Sequence, residues 1–115
     1  MTDEQTTTEL LRRFSPLDGL KRDNLAALAR KVQIRELSPG QVLFKEGDTE
    51  KRTFYVVSGT LELLDNGKTV GTVDGGSDLA KNPVAPVFPR RVSAKARDRV
   101  QFISVDSDLL DVMLT

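Results

Sequence analysis

The sequence predicts a mainly β domain, a small antiparallel sandwich or barrel with helices packed at its ends. Three observations point there. Apolar residues recur at helical spacing only within residues 1–31 and 106–115. Between them lie short alternating or apolar runs, parted at regular intervals by turns rich in Gly, Pro and Asn. The chain has 115 residues, 38% hydrophobic and 30% charged, enough for one modest core and too few for two.

Residues 3–14 predict an amphipathic helix, with Leu10, Leu11 and Phe14 on one face and Thr6 to Thr8 as capping hydroxyls. Pro16 and Gly19 then break the pattern. A second helix is expected over residues 21–31, burying Leu25, Leu28 and Ala29, with Asp23 or Asn24 near its start. The period changes in VQIREL, where Val32, Ile34 and Leu37 read as the apolar residues of a strand. Ser38-Pro39-Gly40 suits a type II turn. QVLFKEGD predicts a short strand ending at Gly47, and TFYVVSGTLELL is strongly β with a break at Ser58-Gly59.

Asp65-Asn66-Gly67 is the best hairpin signal in the chain, and KTVGTV is its return strand, ended by Asp74-Gly75-Gly76. Residues 78–82 allow one helical turn. Pro83, Pro86 and Pro89 then forbid a regular helix or a central strand. RRVSAKA alternates again through Val92, Ala94 and Ala96, and VQFISV is the last strand. DSDLLDVMLT begins a helix capped by Asp106 or Ser107, with Leu109, Leu110 and Met113 facing a core. That pattern reaches Thr115 without a Gly or Pro stop, so the domain is expected to be a piece of a longer, multidomain protein.

Composition excludes several functions. Lys+Arg and Asp+Glu are 17 each, a formal net charge of zero, which argues against direct nucleic-acid binding. With no cysteine there is no disulfide or thiolate metal site, and with no histidine the usual neutral-pH base and commonest metal ligand are missing. The acids Asp106, Asp108 and Asp111 fit helix capping better than a metal site, and no metal is expected. No apolar run is long enough to span a bilayer, and the polar, acidic start is unlike a secretory signal. A cytoplasmic location, no membrane contact and no enzyme activity are the expectations.

At this point the residues match a family. LSPGQVLFKEGDTEKRTFYVVSGTLEL resembles the first half of a cyclic nucleotide-binding domain, as in catabolite-activator-type regulators and kinase regulatory subunits. The landmarks are the Pro39-Gly40 turn, FKEGD ending in Gly47-Asp48, and YVVSGTLEL with Gly59. The resemblance implies a double-stranded β-helix, or jelly roll, of about eight short antiparallel strands. It divides the chain into N-terminal helices (1–31), the β-barrel (32–105) with a phosphate-binding cassette at 75–96, and the start of a C-terminal helix (106–115).

The resemblance also implies a site. Ser77-Asp78-Leu79-Ala80 occupies the place of the family's Gly-Glu-Leu-Ala, and Pro89-Arg90 that of its Pro-Arg. Arg90 would then pair with a cyclic phosphate and Asp78 would accept a bond from the ribose hydroxyl. Backbone N–H groups near Leu79 and Ala80 would complete the anion site, since a helix start offers free donors and arginine a planar fork. The departures are Ser77 in place of a glycine, the shorter Asp78, Arg91 in place of a small pocket-lining residue, and a connection interrupted by Pro83 and Pro86. The cassette is thus degenerate. The expected function is a regulatory domain that binds cyclic AMP, cyclic GMP or another small anion weakly and signals to an adjacent effector domain. The alternative is a ligand-free interaction domain on the same fold, with homodimerisation as one use.

Overall fold

The computed structural model describes the backbone of residues 3–114 and the side chains of residues 7–114. Two helices, α1 (Asp3–Leu11) and α2 (Arg22–Lys31), flank a one-turn 3-10 helix at Leu17–Gly19. The strands follow: β1 (Gln33–Leu37), β2 (Val42–Phe44), β3 (Arg52–Ser58), β4 (Thr60–Asp65), β5 (Lys68–Asp74), β6 (Ser93–Ala96) and β7 (Val100–Asp106). A second 3-10 turn, Leu79–Lys81, lies between β5 and β6, and α3 (Ser107–Leu114) follows β7.

All pairings are antiparallel, in a three-stranded sheet of order β1-β7-β3 and a four-stranded sheet of order β2-β6-β4-β5. The first strand pairs with the last, the second with the last but one, and the tight β4–β5 hairpin forms the tip. This is the pairing of one long hairpin wound into a jelly roll. Seven strands stand among the described residues, one fewer than the resemblance implies. Residues 83–92, with their three prolines, form none.

Two glycines make the route possible. Gly67 (φ +82°) follows Asn66 (φ +51°) in the β4–β5 hairpin, both in the left-handed region a type I′ turn requires. Gly59 (φ +83°) carries the chain from β3 in one sheet to β4 in the other, where an added Cβ would lie 2.2 Å from the Arg99 carbonyl oxygen.

Strands β7 and β3 are buried on both faces, which explains why they read as apolar runs. Phe54, Val56, Val100 and Phe102 face the interior of the roll, with Leu37, Phe44, Leu61 and Ala94. Tyr55, Ile103 and Val105 face outward and pack on Leu11, Phe14, Leu25, Leu28 and Leu110 of the helices. Phe14 and Tyr55 touch with ring centroids 5.0 Å apart, and the Tyr55 hydroxyl donates to the Ser15 carbonyl oxygen at 3.1 Å. Burial pushes the Tyr55 phenol well above its ordinary pKa, with Asp18 adding to the rise.

The structure corrects several sequence expectations. Ile34 and Leu37 lie three residues apart and so fall on opposite faces of β1. Leu37 is buried opposite Val100, whereas Ile34 is 47% exposed, because the helices cover β7 and β3 but leave the outer face of this edge strand open. Helix α1 stops at Leu11, not Phe14; the chain tightens there, with Phe14 N–H donating to the Leu11 carbonyl. Thr6 to Thr8 therefore sit within α1 rather than capping it. Lys21 is the N-cap of α2, and Asp23 lies in the first turn, where it favours the helix dipole.

Candidate functional site

Residues 75–92 lie over one side of the roll and are tied to it by backbone and side-chain bonds. Val84 N–H donates to the Phe54 carbonyl at 2.9 Å and Val84 is buried among the interior side chains. Gly47 N–H donates to the Arg90 carbonyl, and Arg90 N–H to the Asp48 carbonyl, zipping the KEGD loop to the segment that follows a cis Phe88–Pro89 peptide.

Arg90 points inward and is only 3% exposed. Its guanidinium donates through Nη1 to the carbonyls of Ala85 (2.8 Å) and Val84 (3.3 Å), and through Nη2 to that of Arg52 (2.6 Å). Its central carbon lies 4.2 Å from the Phe44 ring centroid and 4.4 Å from that of Phe88, so aromatic faces supply much of the charge's environment. Nε is buried with no partner. Burial pulls the pKa down from the ordinary guanidinium range, opposed by Asp48 and Glu50. These two acids, with Thr49, Leu43, Phe44 and Phe54, line a cavity of about 310 Å³ beside Arg90.

The other site residues predicted from sequence lie elsewhere. Ser77 Oγ donates to the Asp74 carbonyl at 2.6 Å and accepts the Ala80 N–H at 3.2 Å, so this amide is held from within the chain. Ala80 is 2% exposed and joins the interior core, while Leu79 is 57% exposed. The Asp78 carboxylate is fully exposed and pairs with Lys81 at 3.3 Å. Arg91 is exposed. The structure thus brings Ser77 and Ala80 together and places Arg90 inside the roll. It pairs Asp78 with Lys81, not with Arg90.

Sequence reasoning did not identify the partners of Arg90. Phe44, Phe88, Asp48 and the Arg52 carbonyl come from three separate segments, and a carbonyl has no sequence signature. The one available signal was Phe88 beside Pro89-Arg90. Arg52 has a further role, donating through Nε and Nη2 to the buried Ser104 hydroxyl at 3.0 and 2.8 Å. Next to it, the Lys51 backbone carbonyl accepts the Ser107 N–H at 3.2 Å and Thr53 Oγ1 lies 2.8 Å from Ser107 Oγ. The start of β3 therefore touches both Arg90 and the first residue of α3. Asp106 caps α3 through Oδ1, accepting from the N–H groups of Asp108 and Leu109. Among the described residues no helix is long and apolar enough to cross a membrane.

Comparison with known proteins adds three findings. The family described as Cyclic nucleotide-binding domain matches residues 34–115. A CRP-like cAMP-activated global transcriptional regulator of Mycobacterium tuberculosis is 27% identical over 107 residues, covering 89% of this chain and 48% of the regulator. This chain thus spans about half the length of the curated relatives it matches. Among solved structures, the regulatory domain of Toxoplasma gondii PKA with cAMP superposes with a TM-score of 0.77 at 18% identity, covering 96% of this chain and 44% of that one. The regulatory subunit of a cAMP-independent protein kinase A from Trypanosoma cruzi, bound to guanosine, gives 0.79 at 16% identity, covering 98% and 41%. These structural likenesses establish the fold.

Proposed function

The chain belongs to the cyclic nucleotide-binding domain family, and from that membership we propose that it is a regulatory domain that takes a small anion weakly on Arg90 and signals to an adjacent effector domain. A cyclic nucleotide is the first ligand to consider. The observation that carries the reading is a guanidinium buried inside the roll, its Nε without a partner, beside a cavity. A buried donor left unsatisfied costs about 1–3 kcal/mol, which an incoming acceptor would recover.

The same geometry argues for weak binding. An anion on Nη1 and Nη2 displaces the carbonyls of Ala85 and Arg52, and each stranded carbonyl costs about one to two decades of affinity. Asp48 and Glu50 beside the cavity disfavour a doubly charged ligand, so a singly charged phosphodiester suits the site better than a terminal phosphate. Releasing the Arg52 carbonyl would loosen the start of β3, which holds Ser107 at the beginning of α3. That is a physical route from cassette to C-terminal helix.

Calorimetry and thermal melts with cyclic AMP, cyclic GMP and guanosine test the reading. Saturable binding that disappears in Arg90→Lys supports it; no heat and no melting shift at millimolar ligand overturns it. A second reading, a ligand-free interaction or dimerisation domain, is favoured by one observation: Ser77 Oγ and three carbonyls already hold the Ala80 amide and Arg90 from within. Sedimentation showing a nucleotide-independent dimer would support that reading, and a strict monomer would count against its dimeric form.

A further inference from the structure

A second concavity lies apart from Arg90, between the end of α1 and the Gly76–Lys81 corner. It encloses about 470 Å³, within the range of about 300–1,000 Å³ typical of small-molecule sites. Its walls are fastened to each other: Ser15 N–H donates to the Lys81 carbonyl at 2.6 Å, and the Tyr55 hydroxyl holds the Ser15 carbonyl at 3.1 Å. The cleft is therefore built into the fold rather than left by a loose loop.

Its lining divides by chemistry. Leu10, Phe14 and Val57 supply an apolar surface. Arg12, Arg13 and Lys81 stand against one carboxylate, Asp18, an excess of cations in a chain whose overall charge is zero. Lys81 is committed to Asp78, but Arg12 and Arg13 form no ion pair among the described residues. Two adjacent guanidinium groups with no ion pair among the described residues, beside an apolar surface, favour a ligand that is acidic at one end and apolar at the other.

We propose that this cleft binds an organic anion with an apolar body, its acidic head held by Arg12 and Arg13 and its ring or short acyl chain laid on Leu10, Phe14 and Val57. This site is independent of the Arg90 cavity, which shares none of these residues. Ser77 and Ala80 line the cleft as well as belonging to the cassette, so an occupant would rest against the corner where the two meet.

The test is a fluorescence titration of the 115-residue chain with anilinonaphthalene sulfonate, an aromatic anion, with inorganic phosphate and uncharged anilinonaphthalene as comparisons. The sulfonate is expected to bind at least tenfold more tightly than either comparison. The Arg12→Gln/Arg13→Gln double variant should weaken it at least tenfold, and Arg90→Lys should leave it unchanged. Amide resonances of Phe14, Val57, Ser77 and Lys81 should shift on binding. Unaltered affinity in the double variant, equal binding of inorganic phosphate, loss of binding in Arg90→Lys, or shifts confined to other residues would each overturn the proposal. Arg90→Lys also separates it from nucleotide binding, which that variant removes.

Discussion

Arg90 donates through Nη2 to the backbone carbonyl of Arg52 at 2.6 Å. The residue that the family resemblance assigns to the ligand is thereby bonded to the first residue of β3, across 38 positions of sequence. An arginine waiting for a ligand and an arginine holding a fold together differ in what happens when each is removed, and that difference can be measured.

Arg90→Ala is expected to destabilise the domain by about 3 kcal/mol, because it strands buried carbonyls and removes packing from Phe44 and Phe88. Arg91→Ala, at an exposed position, should change stability by less than about 0.5 kcal/mol. Urea unfolding of the two variants separates the cases; equal, small effects would mean that the interior bonds of Arg90 contribute nothing.

Ser77 does within the chain what a ligand oxygen would do from outside, by accepting the Ala80 N–H. Ser77→Gly should cost only about 0.3 kcal/mol of stability through the lost cap, since glycine is itself well tolerated at such positions. It should also tighten cyclic nucleotide binding severalfold by freeing the amide and removing the Cβ. Titration calorimetry on the variant checks both the direction and the size, and weaker binding than in the parent chain would count against an internal competitor.

Tyr55 is the chain's single tyrosine and there is no tryptophan, so its ionisation can be followed by ultraviolet absorbance without interference. Its folded-state pKa is raised by burial above the unfolded value of about 10. The native state therefore holds the phenolic proton more tightly than the unfolded chain does. The resulting stability is fully present below about pH 10 and is lost as the pH rises further. Unfolding free energies should fall steeply above that pH in the parent chain. In Tyr55→Phe this contribution to the slope is absent, at a constant cost of about 1 kcal/mol for the stranded Ser15 carbonyl. A tyrosinate band appearing in the folded protein near pH 10 would contradict the burial.

Gly59 and Gly67 share the same sign of φ but not the same surroundings. Gly67→Ala meets open space and should cost about 1 kcal/mol, from backbone conformation alone. Gly59→Ala drives a Cβ into the Arg99 carbonyl and should cost about 3 kcal/mol or more. Thermal melts of the pair compare the two; similar losses would mean the β3–β4 corner relaxes around the new atom.

Much of the fold was legible in the sequence because it depended on local chemistry. The Asn66-Gly67 hairpin, the Asp106 cap and the helical face of Leu25, Leu28 and Ala29 each followed from residues a few positions apart. The jelly-roll layout was legible from the spacing of turns together with the family landmarks. Errors came where neighbours in space decided the outcome. Ile34, an apolar residue of the expected strand, stays exposed because β1 is an edge strand, and α1 ends before Phe14, which packs on Tyr55.

The cassette divides in the same way. By itself the sequence determined that Arg90 and the Ser77–Ala80 corner belong to one segment, since residue types and order carry that. Only the tertiary structure decided what they touch: Arg90 reaches three carbonyls and two phenylalanine rings, Ser77 caps Ala80, and Asp78 turns to Lys81 in solvent. The physical reason is that every residue carries the same backbone carbonyl, so which one a buried guanidinium meets is settled by how the strands pair and not by any side chain along the way.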